Sequence, residues 1–504
     1  MSVRVRFAPS PTGALHIGGI RTALYNYLFA KNQGGTFILR IEDTDRVRHV
    51  DGAEKYIINA LNWLGLTPDE FPEGPGESGP YRQSERLVIY QRYAQELILS
   101  GKAYYAFDST EELDRLRKEA ESKGTAFLYS AANRHQLNNS LNLSTEEVLN
   151  KINSGTPYTI RLKVTPNEII AFNDLVRDEV SFQSNELDDK VLIKTDGFPT
   201  YHLANVIDDH EMQITHVIRG EEWLSSTAHH LLLYQAFGWQ DSRPQFAHLP
   251  LILKPNGNGK LSKRDGEKFG FPVFPLSWYE HGNATLLGFR ETGFLPDALL
   301  NFLVLLGWHP QSDQEIFNLA EMEKKFSLDR IGKSGARFDY EKAKWFNKHY
   351  ILKADPQTLE PLIEKLLIQQ NILIDSAKIN QIIDLMRERC ALITDFYEQC
   401  IFLYHPPTQF DEVTLNKKWE ANSKDHLINI QELMNSMQTF DATNIETQIK
   451  NYLDQTASSP GKIFPLLRIA ISGSTQGPDL FKTLAFLGKD ESIKRIKNLV
   501  DLKS

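Results

Sequence analysis

Apolar and charged positions alternate from Val3 to Phe7, which predicts a short first strand. Pro9-Ser10-Pro11-Thr12-Gly13 cannot continue it, because proline removes ladder donors and glycine frees the backbone. Ile17, Ile20, Leu24, Tyr27 and Leu28 then recur at helical spacing, predicting a helix from about His16 to Asn32 that Gly34-Gly35 stops. Thr36 to Ile41 is nearly all apolar, as expected of a strand covered on both faces. A helix from about Gly52 to Leu64 follows. Strand, loop, helix, strand and helix in this order open a parallel, doubly wound sheet.

The middle is mixed. Ser109 to Ser122 reads as a charged helix, Asn133 to Leu143 as an Asn- and Ser-rich loop, and Thr156 to Val164 and Val180 to Ile193 as strands. The strand, turn and helix pattern returns after Pro199. Ile214 to Ile218 is a short apolar strand, and Ser225 to Phe237 is a helix capped by Ser225 or Ser226. We read a nucleotide-binding fold interrupted by an insertion. Beyond about Ala343 the pattern is helical. Leu359, Leu362, Ile363, Leu366 and Leu367 mark one amphipathic helix; Ile379, Ile382, Ile383, Met386, Cys390 and Ile393 mark another. The cysteines read as packing residues on that stripe.

The longest strongly apolar run, Ala298 to Trp308, is broken by Asn301 and too short for a bilayer, and Met1 to Pro11 lacks the apolar stretch of a secretory signal. With 504 residues, several domains are expected; 41% hydrophobic and 24% charged residues are ordinary for a globular chain and argue against a disordered, collagen-like or membrane-spanning one. Two cysteines, Cys390 and Cys400, are too few for a disulfide framework or a four-cysteine zinc site, which points to a reduced, cytoplasmic protein. The formal charge of −9 does not announce a nucleic-acid binder, so any such contact must come from local patches.

Two stretches could carry chemistry. Pro9 to Gly19 lies between the first strand and its helix, where unpaired N–H groups favour an anion. Gly18 and Gly19 would let a flat base or ribose approach the backbone, and His16 could donate to a phosphate oxygen. His-Ile-Gly alone would equally suit a tight strand-to-helix turn; its context favours function. Lys260-Leu261-Ser262-Lys263-Arg264 follows the flexible Asn256-Gly257-Asn258-Gly259. Such a basic loop could close over a triphosphate and stabilise charge developing on it, where one such donor is typically worth about 3–4 kcal/mol. A solvated basic turn is the alternative. The pair in this order is far more specific than either part.

Together these stretches resemble the two signatures of class I aminoacyl-tRNA synthetases, His-Ile-Gly-His in its glutamyl form and Lys-Met-Ser-Lys-Ser. Arg40-Ile41-Glu42-Asp43-Thr44-Asp45, Gly79 to Arg86, Pro199 to Asn205 and Arg219-Gly220-Glu221-Glu222-Trp223 extend the likeness. The chain resembles the bacterial-type glutamyl-tRNA synthetases over nearly its whole length, densely to about Tyr350.

The resemblance implies an α/β fold. A Rossmann-like parallel-sheet catalytic domain (1–85 and 201–255) is split by an α/β acceptor-end insertion (86–200). A stem-contact domain (256–345) follows, then an all-α anticodon-binding region (346–504). It implies that L-glutamate is activated by ATP to glutamyl-adenylate and pyrophosphate, then transferred to the 3′-terminal ribose of tRNA(Glu). Arg6, Arg219 and Tyr201 would hold the side-chain carboxylate, Glu42 the α-ammonium, and Ala8, Ser10 and Asn205 the amino-acid end. The arginine fork suits a carboxylate. His16, Gly18, Gly19, Glu222, Trp223, Leu253, Lys260, Leu261, Ser262 and Lys263 would hold ATP. Of these, His16, Gly18, Gly19, Lys260, Ser262 and Lys263 would serve catalysis by positioning and electrostatics. Mg²⁺ is expected with the triphosphate. Arg387 and Arg389 flank an apolar stripe where both could reach solvent and read the anticodon. The family habit is a monomer without membrane contact.

The chain departs from the pattern in two places. Where some relatives carry zinc it reads Ala103-Tyr104-Tyr105-Ala106-Phe107-Asp108, and its histidines lack metal spacing, so no zinc is expected. Phe269 to Arg290 looks longer than the usual connection, and its aromatics could pack under the basic loop. A glutaminyl enzyme, a short tRNA-modifying paralogue, a small-molecule nucleotidyltransferase and a non-catalytic tRNA-binding protein are the rivals. The helical C-terminal third, the length and the intact motif residues argue against them.

Overall fold

A computed structural model describes residues 2–280 and 283–503. The chain divides into two compact units, Met1–Phe289 with Leu299–Tyr340, and Arg290–Ala298 with Glu341–Ser504.

The first unit begins with β1 (Arg4–Phe7), α1 (Ile17–Asn32), β2 (Thr36–Leu39) and α2 (Ala53–Trp63). β1 and β2 pair in parallel, Arg4 opposite Thr36 and Phe7 opposite Leu39. α1 buries residues around its whole circumference, Ile17, Ala23, Tyr25 and Leu28 among them, as a core helix must. Its Asn26 amide donates to the Ile218 carbonyl at 3.0 Å, fixing the helix against the parallel strands.

The interrupting segment holds α3 (Leu87–Leu99), β3 (Ala103–Ala106), α4 (Thr110–Ser122), α5 (Thr145–Asn153), β4 (Thr159–Leu162), β5 (Ile169–Asp174), β6 (Asp178–Gln183) and β7 (Val191–Ile193). β3, β4 and β7 form an antiparallel sheet in that order. α4 buries nothing, as its charged sequence requires; Ser109 caps it by accepting the Glu112 amide at 3.2 Å.

The stretch Val180 to Ile193, expected as one strand, is two. Ser184–Glu186 forms a 3₁₀ turn between β6 and β7, and the Ser184 hydroxyl accepts the Glu168 amide at 2.9 Å, tying together the open end of the β5–β6 hairpin.

The chain continues through α6 (Tyr201–Glu211), β8 (His216–Gly220), α7 (Ser226–Ala236), β9 (Gln245–Leu249), β10 (Ile252–Leu253) and α8 (Lys263–Phe269). β8 and β9 are parallel, β5 joins β9 in parallel at Asp174 opposite Phe246, and β6 closes that edge antiparallel. The Arg4 carbonyl accepts the Thr215 amide at 2.9 Å, placing β1 beside the start of β8. Parallel strands from both halves thus run side by side. In such sheets ligands gather beyond the carboxyl ends of the strands, here after Phe7 and Gly220. Two local expectations shift. β8 starts at His216, two residues later than expected, and Ser225 stands at the N-cap of α7 without a side-chain capping bond.

In the second unit, Pro356–Gln369 is an amphipathic helix, while Ser376–Met386 is shorter than its apolar stripe suggested. The Asp395 carboxylate accepts the amides of Ala391 and Leu392 at 2.7 and 2.9 Å and turns the chain there. Cys390, Ile393 and Cys400 therefore lie beyond that helix, yet all are buried in the same core with Ile363, Ile382 and Phe396. A second core unites the helices Ser423–Ser436, Ala442–Gln455, Pro460–Ser472 and Lys489–Leu502 through Ile430, Ile449, Leu467 and Leu499.

Candidate active site

Beyond β1 and β8 opens a cleft of about 920 Å³. Arg6 enters it from β1 and Arg219 from β8; both are almost wholly buried. Their surroundings differ. Arg6 donates to both carboxylate oxygens of Asp209, Nε to Oδ1 at 2.9 Å and Nη2 to Oδ2 at 3.3 Å. Arg40 reaches the same Asp209 at 2.8 Å and Glu42 at 3.1 Å. Arg219 is held by neutral groups: Tyr201 hydroxyl at 2.7 Å, Thr227 hydroxyl at 2.8 Å, His248 Nε2 at 3.1 Å and the Trp223 carbonyl at 3.2 Å. Among the described residues no carboxylate lies within ion-pair distance of it.

The expectation of two equivalent arginine clamps is thereby refined. Asp209 already neutralises Arg6, whereas Arg219 is a buried positive charge awaiting an anion. Burial pushes the Glu42 carboxyl up, while Arg40, Arg6 and the Asn205 amide at 3.0 Å oppose that rise. Burial also raises Asp209, but Arg6 and Arg40 outweigh it and hold the carboxyl below its usual range. The Tyr201 hydroxyl accepts from Arg219, which leaves its own proton free to point elsewhere.

The nucleotide end is built around His16, the N-cap of α1. Its Nδ1 accepts the Gly18 amide at 3.1 Å, so the ring proton sits on Nε2, a buried atom with no hydrogen-bond partner among the described residues. Burial, then Lys260 and Lys263, push the imidazole down to about 4, making it a neutral donor at physiological pH. Gly13 adopts φ +122°, a conformation that favours glycine, and a Cβ there would lie 3.7 Å from the Lys263 ammonium. The two motifs therefore face each other. The Ile17 amide donates to Val273 at 3.0 Å, and the Phe274 ring packs edge-on to His16 at 6.1 Å, fastening the segment after the basic loop to the start of α1. Lys260 forms an ion pair with Glu222 at 2.7 Å. Burial would raise Glu222, but Lys260 reverses the shift. A neutral donor and an ammonium converge beside a glycine-lined helix start, next to a pocket with an unneutralised guanidinium. This geometry suits a polyphosphate at one end and a small acid at the other.

The family described as tRNA synthetases class I (E and Q), catalytic domain, matches residues 2–345, and an anticodon binding domain matches 356–500. The chain belongs to the class I tRNA synthetases (E and Q). The glutamate–tRNA ligase of Christiangramia forsetii is 51% identical over 500 residues, with 99% of each chain covered. That of Flavobacterium psychrophilum is 49% identical over 498 residues, again with 99% of each covered. A crystal structure of a glutamate tRNA ligase from Elizabethkingia meningosepticum in complex with its amino acid superposes with a TM-score of 0.95 at 48% identity, covering 99% of both chains.

In this synthetase all seven residues expected around glutamate line one cleft: Arg6, Ala8, Ser10, Glu42, Tyr201, Asn205 and Arg219. His16, Gly18, Gly19, Glu222, Trp223 and Lys263 line it too, with Trp223 leaning on Tyr201 at 4.6 Å between ring centres. Leu253, Lys260, Leu261 and Ser262 do not. Leu253 lies in β10 opposite Arg337, and the Leu261 amide donates back to Ile252 at 2.8 Å, so these two anchor the basic loop. Ser262 caps α8 through the Asp265 carboxylate at 2.5 Å.

Arg387, expected at a solvent-facing position, is partly buried. Its guanidinium donates to the carbonyls of Ile351 and Ala354 at 2.9 and 2.6 Å, capping the end of the helix Tyr340–Lys353. Arg389 is exposed. Of the stretch 269–290, Phe271 stacks near Phe269 and Phe338, and Trp278 packs edge-on to Tyr56, contacts outside the basic loop; 281–282 lie outside the described residues.

Sequence reading missed Asp209 and the pair His248–Asp174. Each works through a contact across more than 25 residues, and no local motif announces it. His202, His229 and His230 do converge, with ring centres 5.3–5.4 Å apart, though among the described residues no group of three His, Cys, Asp or Glu side chains could hold a metal. Nor, among these residues, is any helix long and apolar enough to cross a membrane.

Proposed function

We propose that the chain is a glutamate–tRNA ligase, acting on L-glutamate, ATP and tRNA(Glu). The observation that carries this reading is Arg219, a buried guanidinium that faces the cleft and, among the described residues, is held by neutral partners alone. The glutamate side-chain carboxylate neutralises it and accepts from Tyr201, while Glu42 takes the α-ammonium. Asp209 keeps Arg6 rigid, leaving Nη1 for the substrate. A glutamine amide would leave Arg219 without a counter-charge, and an uncompensated buried charge costs about 3–5 kcal/mol.

ATP lies with its phosphates on the start of α1. His16 Nε2–H and the Lys263 ammonium donate to them, and Gly18 and Gly19 leave room for the nucleoside. The glutamate α-carboxylate attacks the α-phosphorus in line, pyrophosphate departs, and the ribose hydroxyl of the tRNA end then attacks the mixed anhydride. No side chain serves as nucleophile; fixed donors and positioning lower the barrier. Lys260, released from Glu222, joins the departing phosphates as the glycine-hinged loop closes. Mg²⁺ would enter as an ion carried by the triphosphate, since the cleft carboxylates Asp45 and Asp196 are already paired, with Arg48 and Lys194. It would neutralise phosphate charge.

Residues 86–200 would receive the acceptor end, 256–345 the stem and 346–504 the anticodon, with the exposed Arg389 reading a base. The test is ATP–pyrophosphate exchange with and without tRNA. Exchange should depend on glutamate and not glutamine, and equal exchange with both would refute the reading. Equal charging of tRNA(Glu) and tRNA(Gln) transcripts would remove the role of Arg389.

A further inference from the structure

Arg219 is aimed by groups that never touch the cleft. On β9, His248 is fully buried; on β5, Asp174 is equally buried. Asp174 Oδ2 accepts from His248 Nδ1 at 2.6 Å, which fixes the ring proton on Nδ1. His248 Nε2 is then an acceptor, and it faces Arg219 Nε at 3.1 Å and the Thr227 hydroxyl at 3.2 Å. Thr227 in turn accepts from Arg219 Nη2 at 2.8 Å. Asp174 is itself immobile, because its other oxygen accepts the amides of Val176, Arg177 and His248 at 3.0, 2.9 and 3.2 Å. Phe172 and Phe246 lie within 6.4 Å of the imidazole and shield it.

We propose that Asp174 and His248 form a positioning relay that sets the orientation of Arg219 and thereby glutamate affinity. The inference rests on the ligase reading above. Its physical content is the tautomer. With the proton on Nδ1, His248 presents a lone pair to Arg219 and adds no charge beside it. With the proton on Nε2, or on both nitrogens, two donors would face each other and the guanidinium would swing out of register with Tyr201. The relay suits a site that must hold a buried cation ready without neutralising it. A carboxylate in direct contact with Arg219 would position it equally well but would compete with the substrate for its charge. Placing the imidazole between them keeps the orientation and removes the competition.

Asp174→Asn tests this with little disturbance of the fold. The asparagine carbonyl can keep the three backbone amides, while its NH₂ replaces the oxygen that fixed the tautomer and drives the proton to Nε2. We expect the KM for glutamate to rise about 10- to 100-fold, the range for mispointing one hydrogen bond to a charged group, with the KM for ATP and the melting temperature close to wild type. His248→Gln, whose amide oxygen can take the place of Nε2, should stay within about five-fold of wild type, and His248→Leu should behave like Asp174→Asn. If His248→Leu does not fold, the Asp174→Asn and His248→Gln pair decides. An unchanged glutamate KM in folded Asp174→Asn overturns the relay, as does a parallel loss for glutamate and ATP, which would mark a structural dyad. Wild-type exchange is run beside the variants. If it lacks glutamate dependence, the ligase reading fails and takes the relay with it; if it is glutamate-dependent while the variants bind normally, only the relay fails.

Discussion

Replacing Arg219 by leucine separates recognition from folding. The guanidinium makes contacts of 2.7 to 3.2 Å with Tyr201, Thr227, His248 and the Trp223 carbonyl, all uncharged. Without it, the substrate side-chain carboxylate enters a buried site lacking its counter-charge. Leaving a buried charge unpaired costs about 3–5 kcal/mol, which corresponds to a fall of about two to four powers of ten in kcat/KM for glutamate. The KM for ATP should stay within about two-fold, since His16 and Lys263 are untouched. Discrimination against glutamine should collapse, because the charge that penalised the amide is gone. Stability should hardly fall: the arginine is buried without an ionic partner among the described residues, so leucine removes a charge that folding had to desolvate. The assay is ATP–pyrophosphate exchange over a glutamate series with tRNA present, beside a thermal melt. A glutamate KM within three-fold of wild type, or an equal rise in the KM for ATP, would refute the reasoning.

Other substitutions in and behind the cleft should behave differently. Asp209→Asn strips the shared counter-ion from Arg6 and Arg40, and should cost about 3–5 kcal/mol of stability in denaturant unfolding. His16→Ala removes the one Nε2–H aimed at the phosphates and should lower kcat about 10²- to 10³-fold with a smaller change in glutamate KM, measured by single-turnover adenylate formation. Acid should destabilise the first unit before its carboxylates titrate. Burial holds His16 at about 4 and His202 at about 3, and pushes His230 well down too, so the unfolded chain takes up protons first as pH falls below about 6.5. That stability is intact above 6.5 and is lost as pH drops towards 4. A melting temperature flat between pH 7 and 4.5 would contradict it.

The site was legible where its chemistry is written into contiguous residues. Pro9 to Gly19 must turn between a strand and a helix, and that turn alone places His16 at an N-cap with its ring nitrogen on the Gly18 amide. Glu42, Tyr201 and Arg219 stand in short motifs and Arg6 was named from the family resemblance; all four line the cleft. Arg387 shows the limit of this reading. Helical spacing put it beside an apolar stripe, but the helix ends at Met386 and its guanidinium turns to the carbonyls of Ile351 and Ala354. Ser184–Glu186 likewise breaks a run of strand-like residues, its hydroxyl tied to the Glu168 amide 16 residues earlier in the chain.

Local order along the chain therefore determined the parallel strands, the glycine turn at the start of the first helix, the basic loop and the helical C-terminal region, since each depends on neighbours within a few residues. Tertiary structure alone decided which charges stay neutralised. Asp209 lies 203 residues from Arg6, and Asp174 lies 74 from His248. Whether a buried guanidinium meets a carboxylate or an imidazole depends on which distant strands and helices come to lie beside it. That choice left Arg6 paired and Arg219 open, and it cannot be read from either residue's own surroundings in the sequence.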